Sequence, residues 1–133
     1  INEAKHSLFS IKERKQLIEK DIEEYKLENV KVKTFEGLLV DFAKKENSKI
    51  IVRGIRAIAD YEYEINIAQF NTNLYPGLET IFLLSDPKFS FISSSGVREL
   101  ASFGGDVSKF VSKNVKKAIY EKNNLGGKNN GKY

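Results

Sequence analysis

The sequence predicts an α/β fold, a parallel sheet joined by crossover helices, and three observations carry that prediction. Ile50-Ile51-Val52 is a continuous β-branched run that suits a strand buried on both faces. Glu79 to Leu84, E-T-I-F-L-L after the Pro76-Gly77 turn signal, reads as a second buried strand. Helical patterns lie before, between and after these runs, and strands alternating with helices at this spacing build parallel sheets.

Taken in order, Ile1 to Ser7 is a polar leading segment carrying Lys5 and His6. Ser10-Ile11-Lys12-Glu13 is a capping box, a hydroxyl followed three residues later by a glutamate, and it opens a helix to about Tyr25. Ile11, Ile18, Ile22 and Tyr25 are expected on its inner face, with the lysines and glutamates between them solvated. Val30 to Phe35 alternates, which predicts a strand with one polar side near a sheet edge. Leu38, Leu39, Phe42 and Ala43 predict a brief helix leading into the Ile50 strand, which is expected to stop at Arg53. Tyr61, Ile65 and Ala68 then form one apolar stripe and Tyr63, Ile67 and Phe70 another, so this helix is expected to be buried on more than one side. Ser93-Ser94-Ser95 opens a short helix that Gly104-Gly105 ends. Asp106 to Phe110 predicts a turn, and Ser112 caps a last helix through about Glu121, with Val115, Ala118 and Ile119 inward. Residues 123–133, rich in Asn, Gly and Lys, are expected to form a mobile tail after a single domain over residues 1–122.

A chain of 133 residues is long enough to bury a core without disulfides or a structural metal. It has no cysteine, which excludes disulfides and thiolate metal sites, and its single histidine, His6, cannot form a histidine metal cluster. No apolar run reaches membrane-spanning length and no signal-peptide pattern opens the chain, so a soluble, cytoplasmic protein is expected. The net charge of +4 and pI near 9.2 favour anionic ligands. Much of that excess sits in Lys109, Lys113, Lys116, Lys117, Lys122, Lys128 and Lys132, and charge alone does not name a nucleic acid as partner. The chain has no methionine and begins at Ile1, so it is expected to be part of a longer translation product.

Two places carry candidate chemistry. Arg53, Gly54 and Arg56 put two fixed positive charges around a flexible glycine just past a strand end, where open α/β sheets bind ligands; such arginines are also ordinary surface charges. Asp60 and Glu64, four apart, share one face of the following helix. At the second place, three serines precede a helix. They serve as caps, yet the free N–H groups and positive dipole end there, with Arg98 one turn on, also make a phosphate cradle.

The runs R-G-I-R-A-I-A-D-Y-E-Y-E and F-S-F-I-S-S-S-G-V-R-E-L, at this separation, resemble bacterial phosphopantetheine adenylyltransferase, a nucleotidyltransferase family. The resemblance extends from about Ile1 to the last helix and implies a Rossmann-like parallel sheet. It implies transfer of the adenylyl group of ATP to 4′-phosphopantetheine, giving dephospho-coenzyme A and pyrophosphate. By position, Lys5, Leu39 and Arg53 match the family's phosphopantetheine-binding residues. Gly54, Ile55, Arg56 and Glu64 match its ATP contacts, as does the loop of Phe89, Ser90, Phe91, Ile92, Ser93, Ser94 and Ser95. The chemistry suits these types, because an attacking phosphate dianion approaching a triphosphate needs cations to offset repulsion and to stabilise the departing pyrophosphate. Mg2+ as cofactor, a homohexamer and feedback by coenzyme A are implied by the resemblance alone, and no metal ligand is assigned.

One departure stands out. The family's T/HxGH segment, whose threonine and histidine contact the reacting phosphates, is absent, and no catalytic residue is assigned in its place. By alignment a strand, a helix and a second strand would precede Ile1. Without them the chain is expected to fold poorly and to bind rather than catalyse alone. The alternatives are a catalytically silent nucleotide-binding module and a related nucleotidyltransferase with another acceptor. A basic nucleic-acid-binding domain ranks last.

Overall fold

In chain order the elements are α1 (Ile11–Glu24), α2 (Leu39–Lys45), β1 (Ile50–Ile55), α3 (Ile58–Leu74), β2 (Glu79–Leu84), a 3-10 turn at Pro87–Phe89, α4 (Ser94–Ser102) and α5 (Lys113–Gly127). They come from a computed structural model that describes residues 7–127. Two compact units emerge: Phe35–Phe91 is one, and the described residues before and after it form the other.

In the first unit β1 and β2 pair in parallel, from Ile50 opposite Glu79 to Ile55 opposite Leu84, and α3 is the crossover between them. The α/β class and the parallel pairing are those the sequence predicts. Strand periodicity sends Ile51, Arg53 and Ile55 to one face of β1. On that face Ile51 packs against Val40 and Ala43 of α2 and against Leu78, with Tyr75 closing the cluster. The turn into β2 is pinned as well: Lys49 Nζ donates to Pro76 O at 3.1 Å and lies 3.5 Å from the Tyr75 ring centroid, while Gly77 takes φ 81°.

Several expectations need correction here. β1 does not stop at Arg53; it runs through Gly54 and Ile55, because the ladder to β2 continues there and Ser85 N–H donates to Ile55 O at 2.8 Å. Nor is either strand buried on both faces: Ile50 and Val52 are 56% and 57% exposed, and Ile81 and Leu83 are exposed beside them. Burial on both faces needs a layer on each side, and among the described residues α2 and α3 contact only the Ile51–Arg53 face. For the same reason the second stripe of α3 is uncovered, with Tyr63 and Phe70 exposed. Val30 to Phe35 forms no strand among the described residues, where the sheet consists of β1 and β2. Phe35 instead stacks on Phe42 with ring centroids 4.5 Å apart.

In the second unit the capping box at Ser10 is present in both directions. Glu13 N–H donates to Ser10 Oγ at 3.2 Å, and Ser10 N–H donates to Glu13 Oε2 at 2.6 Å. The inner face of α1 is not the expected one, since Ile11, Ile18 and Tyr25 are exposed. Polar anchors on α5 select the Glu13–Leu17–Asp21 face instead: Lys122 Nζ meets Glu13 Oε1 at 2.6 Å and Asn114 Nδ2 donates to Asp21 Oδ1 at 2.9 Å. Ala101, Val107 and Ile119 form the core of this unit, flanked by Phe9, Val97 and Val115. Ser112 starts α5 as predicted, accepting from Val115 N–H at 3.3 Å. The helix does not end near Glu121, however; it continues to Gly127, and on the way Asn123 Nδ2 donates to Ala101 O at 3.2 Å.

Lys122, then the Ser10 N–H and hydroxyl, hold the Glu13 carboxyl down at about 2 against an ordinary 4.5. A carboxylate depressed on folding adds stability that is complete above its unfolded pKa and is lost as pH falls, here from 4.5 to about 2. Circular dichroism is therefore expected to show helix loss through that window, and Glu13→Gln to remove this part of it. An unchanged acid limb in the variant would mean that solvent screens the pair to nothing.

Candidate active site

Arg53 sits in β1 opposite Phe82, on the face that α3 covers. Its side chain therefore points at the helix, and Glu64, two turns into α3, meets it with both oxygens: Nε to Oε2 at 2.7 Å and Nη2 to Oε1 at 2.5 Å. The carboxylate is 14% exposed and the arginine side chain 43%, so the pair is held at its acidic end and open at its basic end. Donating to the Glu64 carboxylate raises the guanidinium's pKa further above its ordinary value, against the opposing effect of burial. Arg56, just beyond β1, is engaged by the first turn of α3, with Nε to Asp60 Oδ2 at 3.0 Å. Asp60 and Glu64 thus share a face, as their spacing predicts. That this face grips the two arginines is what sequence reasoning missed; the Arg56–Asp60 interval of four residues was the available signal.

Gly54 lies within the strand and not past it, and a Cβ there would meet nothing within 4 Å, so the fold does not require a glycine. Ile55 is 4% exposed, and any ligand would reach it through its backbone. Leu39, half-buried, opens α2. Phe89 and Phe91 are exposed, and Ser90 Oγ between them donates to Pro87 O at 2.9 Å. These residues all belong to the Phe35–Phe91 unit.

Ile92 to Ser95 belong to the other unit. Ser93 is the N-cap of α4, its Oγ accepting from Gly96 N–H at 3.1 Å and lying 3.1 Å from Ser95 Oγ. Ser94 is the first helical residue, and its carbonyl accepts from Arg98 Nε at 3.2 Å. The Ser93 hydroxyl accordingly serves as the cap in this structure, with the helix start beside it rich in N–H donors. Lys5 lies outside the described residues, as does His6. Among the described residues no group of three or more His, Cys, Asp or Glu is arranged to hold a metal ion, and no helix is long and apolar enough to cross a membrane. Two arginines fixed by carboxylates at a strand end can bind anions; they supply no nucleophile or general base.

Residues 1–100 match the cytidylyltransferase-like family. Similar proteins named phosphopantetheine adenylyltransferase include one from Lachnoclostridium phytofermentans, 46% identical over 123 residues that cover 92% of this chain and 74% of the relative. That of Petrotoga mobilis is 47% identical over 121 residues, covering 91% of this chain and 74% of the relative. That of Dictyoglomus thermophilum is also 47% identical over 121 residues, covering 91% and 73%. The resemblance drawn from the two arginine- and serine-bearing runs is therefore matched across nearly the whole sequence, and the chain belongs to the phosphopantetheine adenylyltransferase family.

Proposed function

We propose that this chain takes part in adenylyl transfer from ATP to 4′-phosphopantetheine in coenzyme A synthesis. The observation that carries the reading is the pair of arginines, Arg53 and Arg56, each tied to a carboxylate of α3 at the end of a parallel strand, in a chain of this family. A phosphate oxygen of phosphopantetheine attacks the α-phosphorus of ATP, the α–β phosphoanhydride bond breaks, and pyrophosphate leaves with the electron pair. No covalent enzyme intermediate is needed, so the protein's work is to hold two polyanions together. In this reading Lys5, Leu39 and Arg53 take the acceptor. Gly54, Ile55, Arg56 and Glu64 take ATP, as does the Phe89–Ser95 segment.

Mg2+ is the cofactor in this reading, carried with the phosphates of ATP, which is the usual way this small, strongly hydrated ion is bound. In this reading the nucleotidyltransferase domain spans residues 1–122, and a cytoplasmic homohexamer under coenzyme A feedback is the matching assembly. The test is pyrophosphate release by the intact protein given ATP and phosphopantetheine. Release that requires both substrates is expected. ATP binding without release would favour a catalytically silent nucleotide-binding module and overturn the reading.

A further inference from the structure

We propose that Tyr120 of α5 is a positioning residue for the start of α4, and that this grip governs affinity for the phosphates of ATP and not for phosphopantetheine. The inference rests on the functional reading above, in which Ser93, Ser94 and Ser95 take part of ATP. α4 has nine residues, about 13 Å of helix, too short to hold its shape in water without tertiary support. That support comes at its far end. Ala101, in the last turn, is buried with Val107 and Ile119, whereas Ser94 and Ser95 in the first turn are exposed. Three donors on one face of α5, at positions 116, 120 and 123, close on the buried end. Asn123 Nδ2 donates to Ala101 O at 3.2 Å, Tyr120 Oη donates to Gly105 O at 2.7 Å, and Lys116 Nζ meets Asp106 Oδ1 at 2.9 Å. Gly105 couples the grip to the helix: its N–H donates to Leu100 O at 2.9 Å, and a Cβ there would collide with the Leu100 side chain. What holds this turn therefore holds α4.

The three bonds are not equal, and their surroundings rank them. Lys116 and Asp106 are 37% and 64% exposed, where an ion pair contributes little. Ala101 O has a second donor in Gly104 N–H at 3.1 Å, so Asn123 is partly redundant. Tyr120 makes the shortest of the three bonds, in a partly buried place. One such bond biases an equilibrium by about fivefold. A phosphate site that is assembled only part of the time binds more weakly by that fraction, so the loss reads directly as weaker ATP binding. Leu39 and Arg53, which the same reading assigns to phosphopantetheine, belong to the other unit, and that substrate is expected to be spared.

The experiment measures ATP, pyrophosphate and phosphopantetheine separately, by calorimetry and by KM, for the intact protein, Tyr120→Phe, Asn123→Ala and the double variant. Tyr120→Phe keeps the ring and removes the donor. It is expected to weaken ATP and pyrophosphate alike, by about three- to fivefold, and to leave phosphopantetheine within about 1.5-fold. The double variant should reach about tenfold on ATP. Lys117→Ala, at an exposed pair with Glu121 on the same helix, should leave all three ligands within about 1.5-fold. A merely structural role would instead lower the melting temperature and the active fraction while the folded protein kept its affinities. If Tyr120→Phe melts below the assay temperature, Lys116→Met combined with Asn123→Ala loosens the same grip at its other two points, and the same split of about threefold is expected. Unchanged ATP binding, equal weakening of both substrates, or a larger loss on phosphopantetheine would overturn the inference while pyrophosphate release by the parent upholds the functional reading. A parent that binds neither substrate would overturn both.

Discussion

Arg53→Ala is expected to lower kcat/KM for phosphopantetheine by about 10²- to 10³-fold and to leave the KM for ATP within about twofold. The size follows from losing charge-assisted hydrogen bonds to a dianion in a partly desolvated place, about 3–4 kcal/mol at 1.4 kcal/mol per decade. Arg56→Ala should show the opposite division, falling chiefly on ATP. The substitution at Arg53 also leaves Glu64, 14% exposed, without its partner, so part of the effect is structural. Thermal melts on the same samples separate the two contributions: a loss of stability alone lowers both substrates' apparent use, whereas a lost contact lowers one. Equal effects of the two arginines on both substrates would refute the division of roles.

Leu78→Ala is expected to destabilise the Phe35–Phe91 unit by about 2–5 kcal/mol. Leu78 is 1% exposed and sits where the turn enters β2, touching Val40 and Ala43 of α2. Its backbone is also committed, with N–H donating to Tyr75 O at 3.0 Å and C=O accepting from Thr72 Oγ1 at 2.9 Å. Those bonds limit how far the surroundings can close over the cavity, which places the cost toward the upper part of the range. Urea denaturation should show the midpoint falling with an unchanged slope. A loss under about 1 kcal/mol would show instead that the cluster collapses around the smaller side chain.

The sequence by itself determined what is local. The Ser10–Glu13 cap and the Ser93 and Ser112 helix starts depend on groups within a few residues of one another, so their signals are written in adjacent letters. The arginine- and serine-bearing runs were legible for the same reason and pointed to the family. Tertiary structure alone decided what depends on partners distant in sequence. Strand propensity could not tell that β1 continues through Gly54, because the ladder is made by β2. Helical periodicity gave α1 a spacing and not an orientation, which Lys122 and Asn114 set from about a hundred residues away. The alternation of Val30 to Phe35 is real, yet an extended segment becomes a strand only when a neighbour offers its N–H and C=O groups. At the site, four residues were legible as two arginines and two carboxylates. That Glu64 reaches back to Arg53 across eleven positions was settled by the packing of α3 on β1, since side chains meet where backbones bring them and a sequence does not state distances.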